Sequence, residues 1–173
     1  MRRIALLLVA VVMVAGVVVC MVPPSQHADA ETAPIFGGEI PPGYRDWPLI
    51  SVAREKGKLQ DLRAKLGNDV AIKAYRSGNG SFPDGTIIAR LAWSYVPWEE
   101  SDKVLGPHNS FMAGSPKEGV QFMVKDSRKY ASTGGWGFAQ FNDGKPTKVV
   151  VKSCFSCHAT IKARDFVFTR YAP

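Results

Sequence analysis

The stretch TIIARLAW, Thr86 to Trp93, decides the fold class. Ile88, Arg90 and Ala92 fall on one side of an extended chain, and Ile87, Ala89, Leu91 and Trp93 on the other. That is the period of two of a β-strand. The turn residues Pro83-Asp84-Gly85 start it cleanly. Working outward, Ile50 to Glu55 reads as a strand. Leu62, Ala64 and Leu66 alternate with Arg63 and Lys65 at strand period, although Leu59, Leu62 and Leu66 also suit one face of a helix, so both readings stay open. Asn68 is a good N-cap for a helix over Asp69 to Ser77, stopped at Gly78. Val120 to Lys125 reads as a strand with Gln121 and Met123 on one face. Gly134 to Phe141 alternates large residues with glycines in the same manner.

Between these strands, residues 96–118 carry Pro97, Gly106, Pro107, Gly114 and Pro116 and read as a loop. Gly144-Lys145-Pro146 turns the chain into the run Val149 to Val151. Residues 31–48, with Pro34, Pro41, Pro42 and Pro48, read as an extended leader that lies on the surface or wraps a partner. The expectation is a mainly β (α+β) protein: an antiparallel β-sheet domain over residues 49–173 with a few short helices.

Composition sets the outer bounds. A chain of 173 residues is one domain's worth, and 46% hydrophobic with 21% charged residues excludes disordered and collagen-like classes. Sixteen glycines and 12 prolines argue against long helices. The formal charge of +7 is spread without a Lys/Arg run, so it is no nucleic-acid patch. At the N-terminus, Arg2 and Arg3 precede the uncharged run Ile4 to Val22, and Ala28-Asp29-Ala30 follows. This reads as a secretory signal peptide over residues 1–30, cut after Ala30. An export signal of this kind implies a periplasmic, oxidising compartment. The rival is an uncleaved membrane anchor, since the run approaches the roughly 20 residues needed to span a bilayer.

The motif that carries chemistry is CFSCH, residues 154–158. On a helical turn, positions i, i+3 and i+4 share a side. Cys154 and Cys157 can each bond one vinyl group of a porphyrin, and His158 is carried to its iron. This is the attachment signature of a c-type haem on a C-terminal CxxCH helical turn, one covalent haem c per chain. Cys154 and Cys157 are the only cysteines beyond residue 30. A thioredoxin-like reading would require a βαβ context, and a zinc site would require ligands beyond His108. A Cys154–Cys157 disulfide is the remaining alternative. His108, Met112 and Met123 are further conceivable iron ligands, against their ordinary roles in an exposed loop or as core filler. Trp93, Trp136, Phe138, Phe166 and Phe168 read as packing around the haem or in a dimer core.

The sequence resembles the cytochrome P-460 family, which includes the cytochromes c′-beta. The matching residues are FPDGT (82–86), MVKD (123–126), GGWGF (134–138), and CFSCH followed by RDFVFTRYAP (164–173). They stand in family order and span most of residues 45–173. The resemblance implies a mainly antiparallel β fold, a homodimer, and a five-coordinate haem whose open distal face binds a small gaseous or nitrogenous ligand. Activities known in the family are hydroxylamine oxidation and binding of nitric oxide or carbon monoxide. His158 matches the proximal ligand and Cys154 and Cys157 the thioether pair. Arg90 stands where hydroxylamine-oxidising members have a lysine crosslinked to the haem, and an always-protonated guanidinium suits that bond poorly. Gln121 stands where they have a distal carboxylate, and an amide is no general base near neutral pH. Arg63 matches a distal arginine. Arg63, Arg90 and Gln121 are therefore the expected distal-pocket residues, suited to gas binding more than to hydroxylamine oxidation. A six-coordinate electron-transfer cytochrome serving a periplasmic redox partner is the alternative.

Overall fold

The computed structural model describes residues 35–106, 109–147 and 151–172. The signal-peptide reading, His108 and most of the Val149–Val151 run lie outside the described residues. Six strands form one antiparallel sheet in sequence order: β1 (Leu49–Glu55), β2 (Asp61–Gly67), β3 (Ile87–Pro97), β4 (Phe111–Lys125), β5 (Trp136–Asn142) and β6 (Lys145–Pro146). Three helices accompany them: α1 (Asp69–Ser77), α2 (Glu99–Leu105) and α3 (Val151–His158). The protein is thus mainly antiparallel β with short helices, and α3 carries both cysteines. Among the described residues, no helix is long and apolar enough to cross a membrane.

The two faces of the sheet are covered by different parts of the chain. Ala89, Leu91, Val120, Phe122 and Phe141 form the core of one face, with Leu66 and Trp93 against them. The segment read as an extended leader takes two tight 3-10 turns, Ile35–Gly38 and Tyr44–Asp46, and covers this face with Phe36, Ile40, Tyr44 and Trp47. The opposite face carries Ile88, Trp136 and Phe138, which pack with Ala71 and Ile72 of α1 and with Phe166 and Val167 of the C-terminal segment. This second face stays polar toward its middle, where a cavity opens.

The period-two reading of residues 62–66 prevails over the helical one. Leu66 enters the apolar core while Arg63 and Lys65 face the cavity, and Leu59 is left exposed beyond the strand. Helix α1 begins as its cap predicts: the Asn68 side chain accepts from Ala71 N at 3.0 Å, and Gly78 ends the helix at φ 68°. The same Asn68 oxygen accepts from Ile87 N, and its amide donates to Gly85 O, so the cap also ties the 83–85 turn to the start of β3.

Residues 96–118, expected as a loop, are largely regular structure. Strand β3 runs on to Pro97, α2 follows, and β4 returns from Phe111. Gly114 and Pro116, two of the residues that suggested a loop, sit in the irregular part of this long hairpin, and Gly106 caps α2. Pro116 lies opposite Trp93, where the register shifts on both sides. A missing N–H costs little where the ladder is already broken. At Gly119, φ is +62° and a side chain would run into the Phe141 carbonyl, so only glycine fits that bend.

Candidate functional site

Helix α3 brings Cys154 and Cys157, both free thiols, into the wall of a cavity of ≈ 750 Å³, together with His158. The cavity lies between the polar middle of the sheet and the C-terminal segment. That segment is fastened to the sheet edge by a hydrogen bond from Ala172 N to Ile50 O. The volume is in the range of about 300–1,000 Å³ usual for cofactor sites.

The imidazole of His158 is fixed on three sides. Its Nδ1 lies 2.6 Å from the Phe166 carbonyl. A carbonyl oxygen only accepts, so Nδ1 carries the hydrogen, and Nε2 keeps the lone pair a metal would take. The rings of Phe138 and Phe168 stand 5.0 and 5.2 Å from it. Burial holds its pKa below the usual histidine value, against the opposing pull of the Phe166 carbonyl. The neutral imidazole that a metal requires is therefore the favoured form. Burial is also the main cause that raises the Cys154 thiol pKa, so this sulfur rests as a thiol.

The opposite wall is built by strand register. Ser51, Lys65, Arg90, Gln121 and Gln140 stand directly across from one another on β1 to β5 and all line the cavity. A hydrogen-bonded polar chain links the last three of them. Arg90 Nη1 donates to Gln121 Oε1 at 2.7 Å, and Gln121 Nε2 donates to Gln140 Oε1 at 2.8 Å. Arg90 Nη2 pairs with Asp61 Oδ2 at 3.2 Å. Asp61 is fully buried and also takes Arg63, through Nη2 at 3.2 Å and through Nε at 2.8 Å from Oδ1. The second approach is too bent for a hydrogen bond and acts as an ion pair. Arg63 Nη1 reaches Glu55 at 3.1 Å.

All six residues expected from the sequence line this one cavity: Cys154, Cys157 and His158 from below, and Arg63, Arg90 and Gln121 on the sheet. Their employment differs from expectation at Arg63, whose guanidinium is taken up by Asp61 and Glu55. Lys65, which the sequence reading passed over, faces the cavity among these residues and makes no hydrogen bond or ion pair with another described residue. Burial, then the nearby Arg63 charge, holds its ammonium pKa below the usual lysine value. Asp61 and Lys65 stand two residues before and two after Arg63, on the same face of the strand, so strand period puts them beside it. Met123 lines the cavity, whereas Met112 is exposed and does not. Trp93 packs on the far face of the sheet, away from the site. Among the described residues, no group of three or more His, Cys, Asp or Glu is placed to hold a bare metal ion.

The sequence model of the cytochrome P460 family matches residues 41–169, a span that includes both cavity walls. The chain belongs to the cytochrome P460 family. No curated protein matches it significantly. Membership makes the cavity that of a haem protein, and the residues present fit that cofactor. Two free thiols and one imidazole with an available Nε2 converge on a cavity large enough for it, and the spacing within α3 is that of covalent attachment.

Proposed function

We propose that this cytochrome P460 family member is an exported, periplasmic c-type cytochrome whose single haem binds a small nitrogen ligand, nitric oxide first and hydroxylamine second, in redox chemistry. Cys154 and Cys157 would hold the porphyrin by thioether bonds, each S–H adding across a vinyl group with sulfur to one carbon and hydrogen to the other, and His158 would ligate the iron through Nε2. The haem would supply an iron able to take the ligand and to change oxidation state. The observation that carries this reading is that thiols, imidazole and a hydrogen-bonded polar band share one cavity.

The chain's own residues do the rest. Phe138 and Phe168 flank the imidazole and restrict its rotation. Arg90, Gln121 and Lys65 present donors toward the cavity, where hydrogen bonds to a bound ligand are strong because the surroundings are poorly solvated. Arg63 and Asp61 keep Arg90 in place. An arginine and an amide at positions 90 and 121 favour ligand binding over proton abstraction from hydroxylamine.

Ferric and ferrous optical spectra of protein matured in a haem-attaching host, with and without nitric oxide, test the reading. The expected result is a five-coordinate, high-spin spectrum and rapid nitric oxide binding to the ferrous form. A low-spin spectrum inert to nitric oxide would contradict it. That result would indicate an electron carrier with a sixth ligand, for which Met123 is the described methionine lining the cavity.

A further inference from the structure

We infer that Asp165 is a positioning residue for the axial imidazole: its carboxylate locks a left-handed turn that holds the Phe166 carbonyl against His158 Nδ1. The inference rests on the axial role proposed for His158. It starts from a backbone outlier. Asp165 and Phe166 are consecutive non-glycine residues with φ of +48° and +63°. Aspartate tolerates that region through its short polar side chain, but an aromatic residue there is strained. Such strain persists only where the surroundings over-determine it, and it gathers at functional sites.

The surroundings here are specific. One carboxylate oxygen of Asp165 accepts from Lys125 Nζ at 2.6 Å and from Trp136 Nε1 at 3.2 Å, at adjoining ends of β4 and β5. The other accepts from the Phe82 backbone N at 2.8 Å, in the loop before the 83–85 turn. Three separate parts of the fold thus converge on one side chain that does not itself touch His158. The next residue is held as firmly. The Phe166 ring is buried beside Gly134, where any side chain would run into it, and it packs on Phe155 of α3 at 5.7 Å between centroids. Phe166 is thus anchored at its ring and, through Asp165, at the turn before it; Val167 N donates to Arg164 O at 3.1 Å and fixes the Phe166–Val167 peptide, whose carbonyl lies 2.6 Å from Nδ1. Acceptors on the non-ligating nitrogen fix the ring and raise its basicity as a ligand. A more basic imidazole favours the ferric state, so Asp165 sets the iron's reduction potential from a distance.

The test compares Asp165→Asn and Asp165→Ala with Asn68→Ala in the haem-loaded protein. Asn68→Ala destabilises by removing a helix cap without touching the imidazole. The readouts are the iron–histidine stretching band of the ferrous form and the midpoint potential. Both Asp165 variants are expected to move the band to lower frequency and the potential upward, the alanine variant further. Asn68→Ala is expected to lower only the melting temperature. If the Asp165 variants lower the melting temperature while band and potential stay at their unaltered values, Asp165 is merely structural and the inference is overturned. Should Asp165→Ala fail to mature, Asp165→Asn, which tolerates the left-handed backbone, decides alone. Absence of the band in the unaltered protein overturns the axial assignment of His158 itself, an outcome distinct from the other two.

Discussion

Asp61 is a fully buried carboxylate whose two oxygens serve two guanidiniums. Removing one member of a buried ion cluster leaves the others charged and unpaired, so Asp61→Ala should cost roughly 3–5 kcal/mol, read by urea denaturation. A loss well under 1 kcal/mol would mean that the cluster is solvated. Lys65 is the opposite case, a half-buried cation with no described partner. Its folded pKa lies below its unfolded one, so the unfolded chain binds more protons in the interval between them, and stability rises with pH across that interval. At neutral pH the full cost of the buried charge is present. Lys65→Gln is therefore expected to raise the melting temperature at pH 7, with the gain shrinking as pH climbs into the lysine range. An equal gain at both ends would contradict the cause given. The CFSCH residues were legible because their chemistry is written in spacing along one helix. Asp61 and Lys65 share the face of Arg63 at strand period, but the roles of Asp61 and Asp165 arise from partners far away in sequence, Arg90 for one and Lys125, Trp136 and Phe82 for the other, and a linear pattern does not fix register.

At the level of elements, period two located β1 to β5, and the Asn68 cap located α1. The β3–β4 hairpin differs from the loop expected because glycine and proline normally punctuate loops, whereas Gly114 and Pro116 sit inside strand β4 where the ladder is irregular. Gly119 makes the point testable. With φ at +62° and the Phe141 carbonyl in the way, Gly119→Ala should destabilise by more than about 1 kcal/mol. By contrast, Gly57, also at positive φ but open to solvent, should tolerate alanine at a smaller cost. Equal melting temperatures for the two variants would show that the close approach at Gly119 is not what matters.

Across the whole molecule, the sheet works as a partition. One face is sealed by residues 35–47, and the other opens onto the cavity below α3. The long hairpin and α2 leave Trp98, Val104, Leu105 and Met112 exposed. Large exposed apolar side chains suit an association surface. With the homodimer that the family resemblance implies, the hairpin is the face proposed to meet a second copy. Sedimentation should give a dimer for the unaltered protein and a monomer for a Trp98→Asp, Leu105→Asp variant. A dimer in both would place the contact elsewhere. The claim beneath all of this is that α3 carries one covalently attached haem. Intact-mass measurement of protein matured in a haem-attaching host tests it most directly. The mass should exceed that of the processed polypeptide by one haem, and the increment should vanish in a Cys154→Ala, Cys157→Ala variant. A colourless protein with the bare polypeptide's mass would contradict the account.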